Sequence, residues 1–370
     1  MQNDAPNQES DQSISILRYE EQGADGVPTG RSATFAGVEF QPLGYADLLD
    51  QKLVGRVLIP LRWTGAHVLE STIPEITVEG VASGNSLLES NYSTKTIGLV
   101  NGGWLPSGLA LRGGMVVFPD RCTITELAGR FHGGVKSDER GDDFLDIFGS
   151  KPIRINPAFY ALEGNRRKQP SPEDVEEQWA EACRKIEAAL PLAELTPEAA
   201  KHGVIGLLAD TQDSMARKAQ FALMVAADLR APVSAKRRCA VWNHVLAVAR
   251  ECGVPKHSLV VLAALSTVCS ANGASPAKRL LKPSANYTDE DAYNALADLR
   301  SLEILINIFA AYPQERTMFC TGDKNLALFW AGMRASNFAW TGKQASYTLS
   351  PVDALLPNVS PELRAAYLEA

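Results

Sequence analysis

Two short apolar runs in this 370-residue chain each end at an aspartate. MVVFP leads into Asp120, and TMFCTG leads into Asp323. An apolar run of four or five residues fits a buried strand. In an open parallel α/β sheet, side chains just past the carboxyl ends of the strands escape the packed core. Two aspartates placed there on neighbouring strands converge. Convergent carboxylates repel one another unless a cation lies between them, and hard oxygen donors suit Mg2+ or Mn2+.

The words around these aspartates carry further acids. Asp120 opens a D-x5-E-L stretch whose acid is Glu126, and Thr321-Gly322-Asp323 is a strand-end T-x-D ahead of an apolar helix. Together they resemble the opening and closing signatures of PIN-domain nucleases, over residues 113–165 and 288–335. The resemblance implies an α/β core with a parallel sheet flanked by helices. It implies metal-dependent phosphodiester hydrolysis, with RNA the expected substrate, and a catalytic, metal-holding set of Asp120, Glu163, Asp298 and Asp323. Glu163 lies 43 residues beyond Asp120, in Ala161-Leu162-Glu163-Gly164-Asn165, and Asp298 lies 25 residues before Asp323. Asp291 and Glu303 compete with Asp298 for the third place, and Glu126 is a secondary candidate that in the family more often orients the site. Asp298 heads an apolar stripe, with Leu302, Leu305 and Phe309 four, seven and eleven residues on. An acid at the edge of a buried face needs a partner.

Basic residues gather at Arg166-Arg167-Lys168, at Lys236-Arg237-Arg238, and at Lys278-Arg279 with Lys282. Cations beside an acidic metal site draw a polyanion toward it, so Arg166, Arg167 and Lys168 are the expected substrate contacts, with Lys324 beside Asp323 as a further one.

The elements that must position these groups are legible in outline. Residues 1–15 read as a flexible tail and 16–112 as a β-rich region of short apolar runs between Gly, Asn and Ser turns. Residues 113–169 and 286–345 form the expected nuclease core, 170–285 a helical insertion, and 346–370 a C-terminal tail. Ser171-Pro172-Glu173-Asp174 and Thr288-Asp289-Glu290-Asp291 are helix-start signatures.

Composition narrows the alternatives. The chain is 45% hydrophobic and 21% charged with a net charge of −7, which argues against broad binding to nucleic acid while leaving room for a local basic groove. No apolar run reaches the roughly 18 residues of a membrane span. The first 20 residues lack the pattern of a secretory leader. The six cysteines are scattered singly and the five histidines show no metal-ligand spacing, so a zinc site is not expected and a cytoplasmic, reducing setting is. No GxxxxGK[ST], GxGxxG or G-x-S-x-G occurs. Gly203 and Gly206 read as turn or packing glycines. The competing expectation is a catalytically inactive PIN-like interaction protein that docks a partner through its helical insertion. Pairing into a homo-oligomer is compatible with either.

Overall fold

A computed structural model of the chain describes residues 16–164, 166–270, 275–342 and 344–369. It is a mixed α/β protein that divides into two units, one comprising residues 1–41 and 58–89 and the other 42–57 and 90–370.

The smaller unit is one antiparallel sheet. Its strands are β1 (Ile16–Gln22), β2 (Pro28–Ala36), β3 (Glu39–Phe40), β4 (Val57–Ser71) and β5 (Val81–Ser90), in the order β1-β2-β4-β3 with β5 also paired to β4. Alternation along β4 sends Ile59, Leu61, Trp63 and Val68 inward. With Phe35, Ala33 and Ile73 some of these make the unit's core.

The larger unit is built on a six-stranded sheet. Its strands are β6 (Ile97–Val100), β7 (Gly103–Pro106), β8 (Val116–Pro119), β11 (Arg154–Ile155), β12 (Glu194–Leu195) and β13 (Thr317–Thr321), with the hairpin β9 (Phe131–His132) and β10 (Val135–Lys136) set apart. The order is β12-β11-β8-β13-β6-β7. The first four run parallel, whereas β6 and β7 are antiparallel additions. Among the parallel strands the chain order is third, second, first, fourth, so the winding reverses between β8 and β13. In sheets of this kind the crevice at that reversal, beyond the carboxyl ends, is where ligands bind.

Helices complete the unit. They are α1 (Tyr45–Leu49), α2 (Ser107–Ala110), α3 (Arg121–Arg130), α4 (Ala158–Glu163), α5 (Pro172–Ala189), α6 (Ala200–Arg230), α7 (Ala235–Glu251), α8 (Leu259–Cys269), α9 (Pro276–Leu281), α10 (Asp289–Ala311), α11 (Lys324–Met333) and α12 (Pro361–Leu368). The hairpin β14 (Ser336–Trp340) and β15 (Ala345–Thr348) follows α11. Both expected helix starts form. Ser171 and Thr288 accept the amides of Asp174 and Asp291, whose carboxylates take the Ser171 and Thr288 amides in return. Helix α8 (LVVLAALSTVC) is buried on every side, as a helix without a polar face must be.

Four expectations are corrected. The β-rich region does not extend to residue 112, because β6 and β7 belong to the larger sheet. Their IGLV and GWLP are buried throughout, and Gly98 is required where β6 meets β13, since a Cβ there would lie 2.3 Å from the Met318 sulfur. The stretch expected as an insertion, 170–285, includes parts of the sheet layer, because α5 packs on α3 and α4, and β12 extends the sheet. The core sheet is mixed instead of parallel. Gly203 and Gly206 lie inside α6, not in turns. Among the described residues no helix is long and apolar enough to cross a membrane.

Candidate metal and active site

Strands β8 and β13 lie side by side in parallel register, Phe118 opposite Phe319 and Pro119 opposite Cys320. Each runs directly into a helix capped by an aspartate. The Asp120 carboxylate accepts the Thr123 amide at 2.6 Å, and that of Asp323 accepts the amides of Asn325 and Leu326 at 2.7 and 3.2 Å. Two bonds clamp the junctions together, since the Asp120 amide and the Thr123 hydroxyl both donate to the Cys320 carbonyl, at 2.9 Å each. Thr321, fully buried, links the two acids. Its hydroxyl accepts the Asp323 amide at 3.0 Å and bonds to the Asp120 carboxylate.

Glu163 reaches the same place from the end of α4, where Gly164 turns the chain with φ 69°. Its carboxylate accepts the amide of Arg121, the residue after Asp120, at 3.2 Å. Helix α10 secures that end of α4. Tyr293 donates to the Glu163 carbonyl at 3.2 Å and Arg300 to the Leu162 carbonyl at 2.6 Å. Asp298 lies between these two anchors on the same helix.

The four carboxylates act on one another through space. Burial, then the charge of Asp120, push Glu163 up to about 7, against the Arg121 amide and guanidinium. Burial, then the charges of Asp323 and Glu163, push Asp298 up to about 7, with Lys282 as the opposing cation. Burial also raises Asp120, against the hydrogen bonds from Thr321, Thr123 and Gly322. The Cys122 thiol acts as an internal reporter, held at about 11 by desolvation and then by Asp120, Glu163, Asp323 and Asp298. Four acids from β8, α4, α10 and β13 therefore surround one locality. Their donor set is hard oxygen with no ion pair of its own among the described residues, which suits a divalent cation of the Mg2+ or Mn2+ kind. Among the described residues, however, no three His, Cys, Asp or Glu side chains are drawn close enough to form a ready-made metal group.

The remaining expected residues lie elsewhere. Glu126 pairs with Arg130 at 3.1 Å and Arg140 at 3.5 Å, in a separate ion network. Glu303 is taken by Lys218 at 2.6 Å, and Asp291 caps α10, which leaves Asp298 as the acid of α10 that faces the others. Arg166, Arg167 and Lys168 are exposed beyond Gly164; Arg166 lies 3.5 Å from Asp174. Lys324 donates to the carbonyls of Leu49 and Gln51 at 2.9 and 2.8 Å, so its ammonium is turned to α1 and the loop after it. Two groups escaped the sequence reading. Arg121, stacked over Tyr160 at 4.4 Å, had no distinguishing signal beyond adjacency to Asp120. Lys282 was visible only as one of a basic cluster, although its left-handed backbone (φ 46°) at the end of α9 marks a chain reversal.

No protein-family model, no curated protein and no solved structure matches this chain.

Proposed function

We propose that the larger unit has a PIN-like core and is a divalent-metal-dependent nuclease that hydrolyses phosphodiester bonds through Asp120, Glu163, Asp298 and Asp323. The observation that carries this reading is the side-by-side ending of β8 and β13 where the sheet's winding reverses, with Asp120 bonded to the Cys320 carbonyl, Asp323 to Thr321, and Glu163 to the amide of Arg121. The choice of RNA over DNA follows from the resemblance in the sequence.

In this reading the carboxylates of Asp120, Glu163, Asp298 and Asp323 would hold Mg2+ or Mn2+, and the ion would supply Lewis-acid chemistry for activating water and offsetting phosphate charge. The chain's own groups do the positioning. Thr321 and the Thr123 amide fix Asp120, the Asn325 and Leu326 amides fix Asp323, and the Arg121 amide fixes Glu163. Arg166, Arg167 and Lys168 on the Glu163 side and Lys282 near Asp298 supply positive charge for the polyanion.

Asp120→Asn and Asp323→Asn test it, since asparagine retains the helix cap while removing the charge. With Mn2+ and a fluorescent RNA, both variants should lose cleavage to background while keeping the far-UV spectrum of the parent. Undiminished cleavage in either overturns the proposal.

A second reading is a non-catalytic interaction protein that docks a partner through its helical stretch 170–285. Thermal melting separates the two. Mn2+ stabilises a metal-binding protein by mass action, and Asp323→Asn should abolish that gain, whereas an interaction protein shows no gain to abolish.

A further inference from the structure

Three successive carbonyls at the end of α4 are each taken by a side chain from another element. Arg300 donates to that of Leu162 at 2.6 Å, the Tyr293 hydroxyl to that of Glu163 at 3.2 Å, and Arg121 to that of Gly164 at 3.4 Å. The last carbonyls of a helix have no partner within it, so donors from elsewhere are expected there. A buried guanidinium is not. Arg300 is 3% exposed, and its Nη1 has no hydrogen-bond partner. Its remaining bond is to the Tyr293 hydroxyl at 3.4 Å, with the guanidinium 5.9 Å from the centre of that ring. No acid pairs with it among the described residues.

A buried cation without an acid is costly, and a neutral donor would cap one carbonyl at smaller cost. What the guanidinium adds is length and a rigid fork of donors. It reaches from α10 to the backbone one residue ahead of Glu163, and through the Tyr293 hydroxyl it braces the Glu163 carbonyl as well. The Glu163 carboxylate is held separately, by the Arg121 amide at 3.2 Å. Glu163 ends a helix of only six residues, which turns away at Gly164. So short a helix has little stability of its own. The direction of its last side chain therefore depends on what grips its end. Helix α10 also carries Asp298, so one helix sets two of the acids.

We infer that Arg300 is a positioning residue: by gripping the Leu162 carbonyl it holds the Glu163 carboxylate where it can share a divalent cation with Asp120 and Asp298. The inference rests on the metal-site reading proposed above. Arg300 meets neither ion nor substrate, because it is enclosed by protein. It acts only through the backbone at residues 162 and 163.

The test is the Mn2+ affinity of the full chain, measured by titration calorimetry for the parent, Asp323→Asn, Arg300→Met, Arg300→Lys, Glu163→Gln and the double variant Glu163→Gln with Arg300→Met. Arg300→Met should weaken Mn2+ binding roughly tenfold, the usual consequence of losing a group that orients a metal ligand. Arg300→Lys, which keeps a cationic donor for the carbonyl, should recover part of that loss. In the Glu163→Gln background the methionine change should have little further effect, because the ligand it positions is already gone. A purely structural arginine would instead lower the melting temperature and leave the Mn2+ affinity of the folded protein as in the parent. Should Arg300→Met not fold, Arg300→Gln serves the same cycle. Parent-like affinity in the methionine variant overturns the inference, as does an equal loss in the Glu163→Gln background or a lysine variant no better than methionine. If the parent binds no Mn2+, or Asp323→Asn binds it equally well, the reading of the site fails and this inference falls with it. If Asp323→Asn loses Mn2+ while Arg300→Met keeps it, this inference alone is overturned.

Discussion

Helix α3 has an acidic cluster at each end, and the two are built on opposite terms. At its start, Asp120 meets Glu163, Asp298 and Asp323; burial holds Asp120 above its usual range, and burial together with neighbouring charge does so for Glu163 and Asp298. Toward its end, Glu126, Asp142 and Asp146 are interleaved with Arg130, Lys136 and Arg140. Arg130 is buried and donates to Asp146 at 2.7 Å, Glu126 at 3.1 Å and the Gly141 carbonyl at 3.0 Å. The same kinds of acid thus stand in one cluster interleaved with cations and in another without an ion pair among the described residues, opposed only by Lys282 and Arg121. The difference lies in the cations, not in the acids.

The largest expected effect is at the unpaired end, where Asp120→Asn and Asp323→Asn should each lower cleavage by at least about a hundredfold, measured by RNA turnover with Mn2+. Next is Arg130→Met at the paired end. It strands two acids near a buried site and should cost about 3–5 kcal/mol in urea unfolding, without changing the Mn2+ affinity of the protein that remains folded. Third, pH should act on the unpaired end alone. Glu163 and Asp298 have folded values raised to about 7 above unfolded values near 4, so folding favours their protonated forms. Metal-free protein should therefore become more stable as pH falls from 8 toward 5, by on the order of 3 kcal/mol per group, and lose that gain as pH rises through 7. Saturating Mn2+ should flatten the profile. A flat metal-free profile would show that the two clusters do not differ as described. The smallest effect is at Lys282→Ala, which should weaken RNA binding a few-fold in the Asp120→Asn background and flatten its salt dependence by about one phosphate contact. Unchanged binding would remove Lys282 from the substrate path.

Much of this arrangement was readable in the sequence, and the reasons for the remainder are specific. Strand β13 falls on TMFCT, because five apolar or β-favouring residues end abruptly at Gly322, and α10 starts at its capping box. Asp120 and Asp323 were accessible because each follows such a run. Of the ion partners of Glu126, Arg130 lies four residues on in the same helix, but Arg140 reaches it only through the folded path of 131–140. Strands β11 and β12 are two residues long, too short to show a period. Strands β6 and β7 have the same texture as the N-terminal sheet, and only the pairing of β6 to β13, more than 200 residues later, reveals which sheet the two join. The guanidinium of Arg300 gave no sign of its missing partner, because an orphaned donor is a property of surroundings and not of spacing.

The central position of β13 has a consequence for how the molecule comes into being. It separates β8 from β6, yet it is contributed about 200 residues after either. Such high contact order slows folding, and during synthesis the first half of the large sheet must wait, split, for a strand the ribosome has not yet made. Asp120 and Asp323 are joined only when that strand slots in. A nascent or prematurely terminated chain thus lacks the paired junction, and the complete acid cluster is confined to molecules that have been made at least through residue 323.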